Sequence, residues 1–255
     1  MIEAPAGTAW YVYGVAEHDP GLERLDGVEL IRAGSLAAIV REVPLEEYDE
    51  TVLPERLNDR EWLERNARAH EEVLQGAAAV TAVVPLRFGT IYRSREHVGE
   101  MLGERGAEFG EALERVRGHV ELGVKAWVDL GAFEQTLAAG DQPVAGAGAG
   151  AAYLQQRAME QERTRELSDR LTELAEEAHQ RLSAVAVADV VNRPQPRELT
   201  GRSEAMLLNG AYLVPDGDDR LRGEVERLAA EHARLGVEYE LTGPWPPHNF
   251  TGEQS

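Results

Sequence analysis

An α+β chain built in two domains is what the sequence predicts. Three observations lead there. Strand-like and helix-like segments alternate through residues 1–137. The run AAGDQPVAGAGAGAA, residues 138–152, then breaks the pattern with small, almost uncharged residues. A long charged helical segment follows, and strand, helix and strand return before the end. The expected organisation is an N-terminal α+β domain over 1–137, a flexible linker over 138–152, and a domain over 153–255 with a long helix and a small sheet.

Each element has its own warrant. TAWYVYGVA, residues 8–16, is aromatic and β-branched and bounded by polar or glycine residues, which marks a strand. Residues 28–43 read as two strands around Ala33, Gly34 and Ser35. Residues 57–75 switch to helical period, with Asn58 as the cap, Glu61 in the first turn, and Leu63, Ala67, His70 and Leu74 as the inward stripe. VVPLRFGTIY, residues 83–92, reads as a strand. Pro85 cannot donate to a ladder, so the strand belongs at an edge. Ser94 caps a helix whose core face is Leu102, Phe109, Leu113, Val116 and Val120, closed by Gly123. The strand GVKAWVDL follows.

Beyond the linker, residues 153–182 form one helix with the seam Leu167, Leu171, Leu174, Ala178 and Leu182. AMLLNGAYLV is a strand, Asp216 to Asp219 a turn, and Leu221, Val225, Leu228, His232 and Leu235 a helix stripe that Gly236 ends. VEYELT is the last strand, ended by Gly243. HVELGVKAWVDL (119–130) and HARLGVEYELTG (232–243) echo each other, each closing a strand–helix–strand unit. If each unit lay in one sheet, its two strands would be parallel. Duplication and chance both produce such an echo.

Composition narrows the function. With 26 basic and 46 acidic residues the formal charge is −20, which repels phosphate and disfavours nucleic acid and anionic membrane as partners. There is no cysteine, so disulfides, thiolate metal sites and cysteine nucleophiles are excluded. The N-terminal residues carry no basic region of a secretory signal, and no run approaches the roughly 20 apolar residues of a membrane span. A cytoplasmic protein is expected.

No motif encodes an active site. His70-Glu71-Glu72-Val73-Leu74 begins like a zinc-protease helix, but Leu74 stands where the second histidine belongs. The glycines at 146, 148 and 150 match a relaxed dinucleotide fingerprint without the strand that must precede it. Asp216, Asp218 and Asp219 lack the remaining ligands of a calcium loop. No catalytic residue, metal or cofactor is expected.

The closing run ELTGPWPPHNF, residues 240–250, resembles the terminal signature of the gas vesicle protein F/L family (GvpF/GvpL), with His248 where tyrosine is usual. WYVYGV, HEEVL, VVPLRFGTIY, GVKAWV, GAAYLQQR and MLLNGAYLV agree with that family in order. The resemblance implies an N-terminal modified ferredoxin-like domain and a C-terminal α+β domain with long helices. It implies an accessory role in gas vesicle formation, association with gas vesicles, and no enzymatic activity. The partners it implies are the small hydrophobic shell protein (GvpA-type) and other gas vesicle accessory proteins. Binding would keep the shell protein from aggregating, or nucleate the shell. Two alternatives stand beside this: a minor structural component of the vesicle wall, and a small-molecule-binding or enzymatic protein on a ferredoxin-like scaffold.

The shell subunit must expose apolar surface, which aggregates before assembly. An acidic binder could cover it at a sheet edge. The candidate contact residues are Pro85, Leu86, Arg87 and Phe88 on the edge strand, and Trp245 in the proline-rich tail. For Trp245 two readings compete: a plug over the C-terminal core, or an exposed anchor.

Overall fold

A computed structural model of the chain describes residues 7–49, 51–138, 149–195 and 201–252, the side chains of 138 and 149–156 excepted. It divides into two compact units: Met1–Glu121 together with Trp245–Ser255, and Leu122–Pro244. The expected boundary run 138–152 lies mostly in 139–148, outside the described residues, and its last positions are already helical.

The first unit is a sheet with helices on both faces. Its strands are β1 (Thr8–Glu17), β2 (Glu29–Ala33), β3 (Leu36–Pro44), β4 (Val83–Pro85) and β5 (Ile91–Tyr92). They lie in the order β2-β3-β1-β4, with β5 also on β1, and every pairing is antiparallel. One face packs α4 (Arg95–Glu104) and α5 (Gly106–Val116) through Val84, Leu86, Val98, Leu102, Phe109 and Leu113. The other packs α1 (Leu45–Tyr48), α2 (Leu53–Asn58) and α3 (Arg60–Ala78) through Tyr11, Tyr13, Tyr48, Trp62, Leu74 and Ala77. Gly14 lets β4 approach β1: a Cβ there would meet the Val84 carbonyl oxygen at 2.8 Å.

Several sequence expectations change here. The cap of α3 is Asp59, whose carboxylate accepts from Glu61 and Trp62 N–H; Asn58 instead donates to the Pro54 carbonyl. The buried face of α3 is Trp62, His70, Leu74 and Ala77, while Ala67 is exposed and Leu63 half-buried. The expected strand 83–92 is two short strands with residues 86–90 between them. The expected helix after Ser94 breaks at Arg105, where Gly103 and Gly106 weaken helical propensity on either side. It ends at Val116, and Val120 and Gly123 are strand residues.

The second unit runs β6 (His119–Val128), α6 (Leu130–Ala138), α7 (Ala149–Ser183), β7 (Ala188–Val191), β8 (Ala205–Pro215), α8 (Arg220–His232) and β9 (Val237–Trp245). The boundary between the units falls within β6 and at the end of β9. The strands lie in the order β7-β8-β6-β9. This is the β-α-β-β-α-β succession of a split crossover. The first unit has the same strand order in its own terms, with a 3-10 turn (Pro20–Arg24) where the first crossover helix would be. The expected strand–helix–strand unit ending at 130 does not form one sheet, because β4 and β6 belong to different sheets. The first Leu-Gly-Val (122–124) lies within β6 and the second (235–237) leads into β9, and these strands are neighbours in a single sheet and not counterparts in two units.

Helix α7 has 35 residues and is about 52 Å long. Only the end of its expected seam is fully buried, at Ala178 and Leu182; Leu167, Leu171 and Leu174 are half-buried, and 157–166 is exposed. Arg181 fastens α7 to α8, donating from Nε to Glu224 at 2.7 Å and from Nη1 to Glu231 at 2.6 Å. Gly236, left-handed at φ 70°, turns the chain from α8 into β9.

Candidate functional site: an edge segment and a C-terminal strap

The expected contact segment sits where β4 leaves the ladder. Leu86 N–H donates to the Tyr13 carbonyl at 2.9 Å, and Val12 N–H donates to the Thr90 carbonyl at 2.9 Å. Pro85 and Leu86 are buried, Phe88 is half-buried, and Arg87 is exposed. The Phe88 ring lies 6.2 Å from Tyr11, 6.1 Å from Trp62 and 5.7 Å from His70, mostly edge-on, as aromatic quadrupoles prefer. Three of the four residues therefore serve the unit's own core, and Arg87 is the one that faces solvent.

Behind this segment lies a fixed polar chain. Gly89 N–H donates to the Tyr11 hydroxyl at 3.1 Å, and Tyr11 lies 2.8 Å from His70 Nδ1. With Nδ1 facing Tyr11, the ring's hydrogen bond to the Leu86 backbone places the proton of the neutral imidazole on Nε2 and leaves Nδ1 to accept from the Tyr11 hydroxyl. Burial pushes the His70 pKa down to about 4, helped by the charge of His248 and opposed by Glu71 and a hydrogen bond to the Leu86 backbone.

The C-terminal tail is a strap on the same unit. Strand β9 runs past Gly243 to Trp245, so the glycine does not end it. Trp245 is 36% exposed, so it is not the expected plug; Pro246, Pro247, Phe250 and Thr251 are buried instead. His248 Nε2 lies 3.0 Å from Glu71 Oε2. Asn249 donates to Glu121 from its backbone N–H at 2.8 Å and from Nδ2 at 2.6 Å. Arg115 Nη1 donates to the Phe250 carbonyl at 3.0 Å. Burial raises the Glu121 pKa despite the two Asn249 bonds. At Glu71 burial is the largest single influence and works against ionisation, but the bond and charge of His248, the charge of His70 and a bond from Gln75 together outweigh it and the pKa is lowered. His70 and Glu71 are consecutive on α3, so that helix carries both the edge segment and the strap. Glu71, Glu121 and Asn249 escaped sequence reasoning because their partners are far along the chain.

In the second unit Glu177, Glu231 and His232 come close enough together to hold a cation. Arg181 already supplies a positive charge there, bonding Glu231 and lying 3.4 Å from Glu177. His232 Nδ1 is engaged by the Tyr239 hydroxyl at 2.8 Å. The arrangement is a crosslink between α7 and α8.

The family described as "Gas vesicle synthesis protein GvpL/GvpF" matches residues 9–252. The chain belongs to the GvpL/GvpF family. It is 37% identical over 253 residues to gas vesicle protein L of Streptomyces sp. (strain CB03234), covering 95% of this chain and 92% of that protein. It is 31% identical to gas vesicle protein F of the same organism, covering 94% and 98%. The crystal structure of GvpF from Anabaena sp. PCC7120 shares the fold, with a TM-score of 0.74, 20% identity and 96% of each chain covered. GvpL/GvpF membership gives the chain an accessory role in gas vesicles. Among the described residues no helix is long and apolar enough to cross a membrane.

Proposed function

We propose that this GvpL/GvpF chain is a non-enzymatic factor that covers apolar surface on the gas vesicle shell subunit in the cytoplasm, until assembly buries that surface. The observation that carries this reading is the family match over residues 9–252. The formal charge of −20 supports it, because a strongly charged carrier keeps a complex with an apolar client soluble. Within the expected contact residues, Arg87 and Trp245 are the exposed members of the first unit and the ones a client could reach. Pro85, Leu86 and Phe88 would shape the backbone that presents Arg87.

The test is co-expression of the shell protein with and without this chain, followed by measurement of soluble shell protein. The reading expects the soluble fraction to rise with the chain present, and Arg87→Glu or Trp245→Ala to lower it. An unchanged soluble fraction would count against the carrier role.

A further inference from the structure

A sheet can be lengthened only at its outer strands, where backbone N–H and C=O groups point outward unpaired. The strand orders end at β2, β4, β7 and β9. Three of these carry obstacles to pairing. On β2, Glu29 is bound by Arg95 and Arg32 by Glu23, so ion pairs wrap the strand. Strand β4 is three residues long and ends in Pro85. Strand β9 carries Glu238 and Glu240 and then Pro244.

Strand β7 is different. Its residues Ala188, Asp189, Val190 and Val191 include no lysine, arginine or proline. Its single charge, Asp189, is engaged by His179 Nε2 of α7 at 3.3 Å. Val187 and Val191 are 58% and 54% exposed, and among the described large apolar side chains only Met159 is more exposed. Alternation along a strand puts Val187, Asp189 and Val191 on one face. The inner side is held along its length: Val187 N–H donates to the Leu213 carbonyl at 2.8 Å and Asn192 N–H to the Asn209 carbonyl at 2.7 Å. Among the described residues no strand pairs with the outer side.

We propose that β7 is a docking edge that accepts an extended segment of an apolar client protein as a further strand of the second sheet. The segment is β-branched where it meets Val187 and Val191, and uncharged or basic opposite Asp189. A second copy of this chain is the poorer occupant, because each copy carries a formal charge of −20 and pairing would bring two Asp189 carboxylates together. This inference rests on the carrier role proposed above and adds to Arg87 and Trp245 a second contact surface, on the other unit.

The experiment uses the full chain, with the shell protein as probe. Val187→Lys and Val191→Lys are made singly and together, with Leu57→Lys as a control at another exposed apolar position. The double variant is expected to lose roughly tenfold in capture, while circular dichroism and the Leu57→Lys capture stay unchanged. Hydrogen exchange on the unaltered chain is expected to show new protection at the outward-pointing amides of Asp189 and Val191 when the shell protein is bound, a readout independent of how the variants fold. Capture by the double variant equal to that of the unaltered chain, or no new protection, overturns the edge and leaves the carrier role standing. No capture by the unaltered chain overturns both. A dimer of the unaltered chain that the lysines split to monomers overturns the choice of occupant.

Discussion

Asn249 holds Glu121 at two points, with its backbone N–H at 2.8 Å and its side-chain amide at 2.6 Å. Glu121 is 5% exposed, so these donors replace water that burial has removed from its carboxylate. Asn249→Ala deletes one donor and leaves a buried oxygen short of a partner. A loss of about 1–3 kcal/mol is expected, read by urea denaturation. Glu121→Gln keeps the shape and loses less. Full stability in Asn249→Ala would show that the strap does not depend on this contact.

His70 sets a pH dependence whose sign is fixed. Its pKa falls from 6.5 to about 4 on folding. The unfolded chain therefore binds the proton more readily, and the contribution of His70 to stability is complete above pH 6.5 and lost as pH falls toward 4. The loss is at most about 3 kcal/mol. Glu121, with its raised pKa, works in the opposite sense. The comparison to make is between the native chain and His70→Gln: the variant is expected to be less stable at neutral pH and flatter between pH 6.5 and 4.

Gly14 tests the packing of the edge strand. A methyl group there would meet the Val84 carbonyl at 2.8 Å and the Leu74 side chain at 3.0 Å. The backbone oxygen cannot swing away as a side chain can. Gly14→Ala is expected to cost about 1–3 kcal/mol and to raise the exchange rate of the Val83 and Val84 amides more than that of β7.

Arg181 tests the second unit. It bonds Glu224, which is buried, and Glu231, whose pKa it lowers through that bond. Arg181→Leu is expected to lower the thermal midpoint and leave Glu224 dependent on Arg227. Arg181→Lys should recover only part, because a single ammonium cannot reproduce a fork shared between two carboxylates. Equal midpoints for all three proteins would remove the crosslink from any account of stability.

Periodicity made much of the fold legible. Strands β1, β2, β3, β8 and β9 and helices α7 and α8 follow from apolar spacing that each segment carries within itself. What stayed hidden depends on neighbours distant in sequence. Strand β7 is only four residues long, too short for alternation to announce it. Asp59 outcompeted Asn58 as a cap by one position, a choice set by the path of α2. The strap pairs are 128 residues apart for Asn249 with Glu121 and 177 for His248 with Glu71. Trp245 looked like the natural plug of the C-terminal core because tryptophan has the most surface to bury, yet it is exposed and the residues after it are buried as part of the first unit.

Because the strap joins Met1–Glu121 only after Leu122–Pro244 has been made, the ribosome must finish the second unit before the first can close. A nascent chain would emerge with Glu71 and Glu121 still awaiting His248 and Asn249. The second unit would then be complete before the first, and the N-terminal unit, made earliest, would be the last to reach its final state.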